Sequence, residues 1–274
     1  MDTKILRESD MIPYFAQPSL SLGPISIHAF GVLVAVGILI GMRLIRRRAA
    51  AWGMDPIAAE RLTIWILLGG FAGAHLIDRL VYYPADALAN PWSLLRFWEG
   101  LSSFGGFLGA IVGAALFVRL QRLGSQKWLY LDVVAYAFPT SWFFGRTGCF
   151  LAYDHPGSAT SIYLAQRYSD GVVRHNLGLD EALYTLPVAL LFLWLGRRGP
   201  RAPGFFVGWL AVLYAPVRFL LDFLRIADVR YFRFTPGQYG AAAIFVVGVL
   251  ILTIPSRAKP EPPHAGCEGA CRTE

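Results

Sequence analysis

The sequence predicts an all-α fold, a polytopic bundle of about seven transmembrane helices. Three observations carry that prediction. Hydrophobic residues make up 55% of the 274 residues and charged residues only 16%, against about 25% charge in an ordinary soluble domain. The apolar residues gather into runs near the roughly 20 residues that a helix needs to cross a bilayer. The Lys and Arg residues gather in short blocks between alternate runs, which is how a membrane chain sets its orientation. The formal net charge of +7 therefore reads as topology, and no nucleic-acid partner is expected.

The first run, 25–45, begins late and precedes no small-x-small cleavage site, so it is a retained span and not a signal peptide. Arg43, Arg46, Arg47, Arg48 and Arg61 follow it. The second run covers 62–83. The connection after it carries Tyr82, Tyr83, Trp92, Phe97 and Trp98, side chains that favour the headgroup zone. The third run, 104–121, holds Gly105, Gly106, Gly109 and Gly113 among alanines, a pattern that lets helices approach closely in lipid. Arg119, Arg122 and Lys127 separate it from the fourth run, 128–148. The fifth, 182–196, is short, and Arg197, Arg198 and Arg201 follow it. The sixth and seventh cover 204–224 and 237–254.

Arg257 and Lys259 then open a polar tail, 257–274, which holds Cys267 and Cys271. Residues 1–256 read as one integral membrane domain. Three cysteines make no disulfide framework, and the tail pair reads as part of a dispensable segment more readily than as a metal site. The basic blocks occupy alternate connections, so they share one side. The positive-inside rule makes that side cytoplasmic, with the N-terminus outside and the C-terminus inside.

Charged residues within apolar runs cost at least about 2.5–3.5 kcal/mol each, which marks them as functional candidates. His75, Asp78 and Arg79 lie in the second run, Arg146 near the end of the fourth, and Arg218, Asp222 and Arg225 near the end of the sixth. Arg218 and Asp222 are spaced i,i+4, and Asp222 and Arg225 i,i+3, so the three share a helical face. Arginines outnumber acids there, and a phosphate is the natural counter-ion of a buried guanidinium. Arg225, Arg230 and Arg233 sit on an outer connection against the positive-inside bias, which an anionic outer ligand would explain. For Asp78–Arg79 a purely structural ion pair explains the sequence equally well.

Asp154 and His155 follow Arg146 closely. The pair suits a general base, and Asp-His-Pro-Gly suits a turn equally well. His28 reads as an interfacial residue and His175 as a loop residue. No metal-ligand spacing and no phosphate-binding glycine loop stands in the sequence, so neither a metal nor a cofactor is expected.

At these residues the chain resembles the phosphatidylglycerol–prolipoprotein diacylglyceryl transferases of bacterial inner membranes. The resemblance runs from about Gly23 to Leu252. Five stretches carry it, in order: Leu22 to Gly31, Trp98 to Gly106, Gly145 to Phe150 with Gly157, Arg174 to Tyr184, and Arg218 to Arg225 with Gly237 and Gln238. None is specific alone; their order is. The resemblance implies transfer of the diacylglyceryl group of phosphatidylglycerol to the lipobox cysteine of a prolipoprotein, at the extracytoplasmic face. Its partners would be phosphatidylglycerol, lipobox signal peptides and membrane lipid.

Carried over by position, Arg146 and Arg218 would bind the headgroup, Asp222 would orient Arg218 in place of the family's glutamate, and Gly157 would fill a glycine slot. Arg225 joins the substrate-binding set. Three positions depart from the family pattern: Phe104 replaces a His, Phe30 a Tyr, and Cys149 an Asn. With Phe104 unable to accept a proton, His155 and Asp154 are the first candidates for the base, and Arg218 for stabilising the leaving group; His75 comes next. A non-catalytic paralogue that binds anionic lipid or lipoprotein, and a transporter, are the competing classes.

Overall fold

The computed structural model describes residues 11–254 apart from 24, 97–99, 200 and 227–229. Phe97, Trp98 and the tail with Cys267 and Cys271 lie outside the described residues. Seven long helices dominate: α1 (Ala29–Ala51), α2 (Pro56–Ile77), α4 (Ser103–Leu120), α5 (Lys127–Ala152), α6 (Leu177–Arg197), α7 (Phe205–Leu221) and α8 (Pro236–Thr253), with a short α3 (Pro84–Ala89) between α2 and α4. Five are long and apolar enough to cross a membrane: α1, α6, α8, α2 extended to Tyr82 and α7 extended to Leu224. α4 supplies a shorter apolar helix. Outward-facing Leu39, Leu68, Ile111, Leu190, Leu220 and Val246 are all exposed. Such an apolar surface suits lipid and not water, and the chain is a polytopic helical membrane protein.

The helix bounds follow local chemistry. Asp55 accepts from the Ile57 amide and Pro56 stands at the first helical position, so α2 starts six residues before the apolar run does. Asn176 accepts from the Gly178 and Leu179 amides and starts α6 at Leu177. The fifth span is thus not short: its first turn carries Asp180 and its second begins at Glu181, both of which hydropathy alone places outside. α5 is the central helix, with Asp132, Arg146 and Cys149 buried along it. Protein neighbours replace lipid there, so polar residues are tolerated.

α2 and α4 pack backbone to backbone. A Cβ on Gly69, Gly73 or Gly109 would run into the facing main chain, so the glycine pattern does what the sequence led us to expect. At one end of the bundle Arg48 donates to the Gly196 carbonyl (2.6 Å) and to the Tyr136 hydroxyl (3.0 Å). Phe206 stacks there against Trp52 and meets Tyr136 and Phe192 edge-on. Asp132 caps α7 by accepting from the Gly204 and Val207 amides (2.7 and 2.9 Å). The basic connections lie at this end.

Two small sheets add to the predicted all-helical picture. β1 (Ser19–Leu22) and β2 (Ile25–His28) form an antiparallel hairpin before α1. β3 (Pro156–Ala159), β4 (Gln166–Arg167) and β5 (Val173–Asn176) form a sheet in the order β3-β5-β4 within the connection from α5 to α6. Ile12 pairs with its edge at Gln166. The strands are two to four residues long, too short for a readable alternation.

Candidate functional site

The C-terminal ends of α5 and α7 and the N-terminal ends of α6 and α8 meet at the end of the bundle opposite Arg48 and Asp132. Each brings polar groups. The last turns of α5 carry Arg146 and Cys149. Tyr153 then adopts a left-handed conformation (φ 57°) that ends the helix and turns the chain into Asp154 and His155. The Asn176 cap fixes the start of α6, which sets Glu181 one turn inside. α7 carries Tyr214 and Arg218, and a 3₁₀ turn at Asp222–Leu224 continues it to Arg225. Thr235 and Gln238 form a capping box at the start of α8.

Two buried ion pairs organise the centre. Arg146 Nε lies 3.0 Å from Glu181 Oε2, with side chains 4% and 3% exposed. Trp142 Nε1 donates to the other Glu181 oxygen (2.7 Å), and its ring lies under the Arg146 guanidinium (4.6 Å). Tyr214 stands beside both partners. In the second pair Asp222 Oδ1 lies 3.0 Å from Arg218 Nη2 and 3.3 Å from Arg225 Nε. Thr235 Oγ1 donates to Asp222 Oδ2 (2.7 Å), and Gly237 packs where a Cβ would strike that same oxygen. Three guanidiniums thus meet two fully buried carboxylates, Glu181 and Asp222. The surplus positive charge favours an anion.

Arg218 and Tyr214 also line a cavity of about 230 Å³ whose other walls are Phe104, Phe107, Leu108, Ile111 and the face of α8 from Gly237 to Ile244. A cation at one end of an apolar slot matches an amphiphile with an anionic head.

Asp154 and His155 cap this centre. His155 Nδ1 lies 2.8 Å from the Asp154 carbonyl and 3.7 Å from its carboxylate. Burial, and then Arg146 and Arg225, push the His155 imidazole down to about 3. It is neutral at pH 7 and a weak base. Partial burial, with the side chain still 37% exposed, raises the Asp154 carboxyl above its ordinary value, against the pull of Cys149 and Arg146. Cys149 Sγ is 3.7 Å from Arg146 Nη1 and its thiol hydrogen-bonds Asp154. Cys149, Asp154 and His155 hold their ligand atoms within 4.8 Å of one another. Spacing along the chain gave no metal cluster, because two of the three adjoin a turn that the sequence does not specify.

Gly157 pairs with Arg225 through an isolated antiparallel bridge, and a Cβ on it would lie 2.7 Å from His175 Cβ. The predicted residues Arg146, Asp154, His155, Gly157, Arg218, Asp222 and Arg225 therefore share one end of the bundle. The second predicted group does other work. His75 Nε2 lies 3.2 Å from the Leu94 carbonyl, Asp78 pairs loosely with Arg79 (3.9 Å), and the Ser102 amide donates to Ala74 O (3.0 Å). These contacts tie the connection between α2 and α4 back onto α2, where Trp92 and Leu88 stay exposed.

Glu181, Tyr214 and Trp142 were not singled out as site residues. Glu181 is an acid at the edge of an apolar run and was one residue outside the predicted span. Tyr214 and Trp142 gave no signal, since aromatic residues are common in spans.

The family model for prolipoprotein diacylglyceryl transferase matches residues 17–254. A phosphatidylglycerol–prolipoprotein diacylglyceryl transferase of Solidesulfovibrio magneticus is 32% identical over 252 residues, covering 88% of this chain and 94% of its own. One of Tolumonas auensis is 29% identical over 257 residues, covering 91% and 99%. One of Nitratidesulfovibrio vulgaris is 31% identical over 257 residues, covering 90% and 96%. With arginines, their acids and the apolar slot gathered at one end of a helical membrane bundle, the chain belongs to the prolipoprotein diacylglyceryl transferase family.

Proposed function

We propose that the chain transfers the diacylglyceryl group of phosphatidylglycerol to the lipobox cysteine thiol of a prolipoprotein signal peptide. The carrying observation is that Arg218, one member of the arginine-rich centre, lines the cavity of about 230 Å³. An acyl chain lies between Phe107, Ile111 and Ile244, and the phosphate meets Arg218 and Arg146. The client sulfur attacks the glycerol carbon that bears the phosphate ester. A carbon–sulfur bond forms, the carbon–oxygen bond breaks, and glycerol phosphate leaves with the electron pair.

Guanidiniums fixed by buried carboxylates stabilise that developing charge without reorganising, an effect worth about 10²–10³ in rate per donor. Asp154 takes the thiol proton, because it is the stronger base of the Asp154–His155 pair; neutral His155 lies against it. Arg225 and Gly157 hold the loop over the centre. The site faces the extracytoplasmic side of a bacterial inner membrane, with the N-terminus outside; the basic connections at the opposite end of the bundle support this reading. Residues 1–256 act as one domain.

Phe104 supports a second reading. It lines the cavity beside Arg218 and brings no proton acceptor, which suits a protein that binds anionic lipid without turning it over. One experiment separates the two. Purified protein is incubated with phosphatidylglycerol and a lipobox peptide, and the peptide is weighed by mass spectrometry. A diacylglyceryl gain that Arg146→Ala abolishes supports transfer. No gain, with lipid binding that Arg146→Ala abolishes, supports the binding protein; flux of a solute in liposomes would overturn both.

A further inference from the structure

The Cys149, Asp154 and His155 cluster has a chemistry that phospholipid transfer does not use. We propose that these three residues bind a borderline-soft divalent cation, Zn²⁺ in the first place, and that the bound ion shuts the site. A thiolate, an imidazole and a carboxylate are the three donor types that zinc takes from proteins, and three protein ligands leave a fourth position for water. The donor atoms already lie within 4.8 Å of one another. A tetrahedron with metal–ligand bonds of about 2.0–2.3 Å spans roughly 3.3–3.8 Å between ligands, so closure asks for a movement of about 1 Å.

The chain can supply that movement. Cys149 is fixed on α5 and buried. Asp154 and His155 follow the left-handed residue Tyr153, outside any helix or strand, and Asp154 is exposed, which leaves a way in from solvent.

Neighbouring charges decide whether a cation is tolerated. Three arginines stand close: Arg146 lies 3.7 Å from Cys149 Sγ, and Arg218 and Arg225 face His155. Glu181 and Asp222 engage part of that charge. Zn²⁺ with one thiolate and one carboxylate is neutral as a unit, so the loaded site carries no net charge of its own beside the guanidiniums. Mg²⁺ and Ca²⁺ prefer oxygen ligands in larger number and gain little from a sulfur. An ion held here occupies the Asp154 oxygens and the His155 lone pair, and so blocks the acceptor that the proposed transfer needs.

The test is direct metal binding by the full chain in detergent, with Cys267→Ser and Cys271→Ser to remove the tail thiols, and with neither lipid nor peptide present. Co²⁺ is titrated first. The expected result is one equivalent bound, with a thiolate-to-cobalt charge-transfer band that Zn²⁺ bleaches and Mg²⁺ leaves unchanged. Cys149→Ser should remove the band, and His155→Gln should weaken binding about tenfold or more. As a check that needs no variant at the site, Zn²⁺ should slow alkylation of Cys149 in the same protein by about tenfold or more.

No band in the folded protein, a band that survives Cys149→Ser, or unchanged alkylation would overturn the proposal. Zinc binding is read without transfer, so an inactive protein still decides it, and a protein that binds no zinc leaves the transferase reading intact. In an active preparation, Zn²⁺ inhibition that Mg²⁺ does not reproduce is the functional counterpart.

Discussion

Glu181→Gln isolates the electrostatic role of the carboxylate that holds Arg146. The amide keeps the shape of the side chain, and its carbonyl can still accept from Trp142 Nε1, now 2.7 Å from Oε1. The ion pair at 3.0 Å is lost, and both side chains are nearly inaccessible. Removing one partner of such a pair costs about 3–5 kcal/mol, because the other charge stays buried and unmatched. If about 3 kcal/mol of that appears in the transition state, at about 1.4 kcal/mol per decade the rate falls roughly 100-fold.

Trp142→Phe removes a hydrogen bond to the same carboxylate, worth about 1.5 kcal/mol, and leaves an aromatic ring under the guanidinium, so its loss is about tenfold. Both are measured as initial rates of diacylglyceryl transfer to a lipobox peptide in phosphatidylglycerol micelles, with thermal unfolding followed in parallel. The double variant should lose less than the product of the two, since both act on one carboxylate. A folded Glu181→Gln protein within about threefold of wild type would refute the claim that Glu181 sets the Arg146 guanidinium.

Three further outcomes follow. Phe104→His should leave the transfer rate within about threefold, because the proton goes to Asp154; a gain of about tenfold or more in the same peptide assay would place the acceptor at position 104 instead. Asp132→Ala should lower stability by about 1–2 kcal/mol through loss of the α7 cap, seen as an earlier thermal transition, while transfer per folded molecule is unchanged because Asp132 sits at the opposite end of the bundle. For His155, the folded imidazole is held at about 3 against an ordinary value of 6.5. The neutral form therefore contributes stability that is fully present above about 6.5 and is lost as pH falls toward about 3. Thermal unfolding of His155→Gln should show a shallower acid dependence in that window, and an unchanged slope would count against the assignment.

Arg218 and Asp222 were legible because one turn of one helix relates them, and periodicity along the chain suffices to see it. Arg146 was legible as a charge that lipid would not tolerate. Its partner was not: Glu181 lies on a different helix, and their meeting depends on how α5 packs against α6 and on an asparagine cap that sets where α6 begins. The apparent excess of arginine over acid shrank once that partner was placed. His155 looked like a base from its neighbours in sequence, yet its basicity is lowered first by burial and then by Arg146, Arg225 and Arg218, all of which reach it only through the fold. The cavity beside Phe104 is lined from α4, α7 and α8, and no single stretch of sequence encodes it.

The joint between Asp222 and the start of α8 bears on the order in which the molecule becomes competent. Thr235 and Gly237 seat the carboxylate that holds two arginines, and α8 also forms one wall of the lipid slot. A chain emerging from synthesis lacks both until α8 has inserted. The partly inserted protein therefore carries its arginines without a finished binding site, and cannot begin consuming membrane phospholipid before the whole bundle is in place.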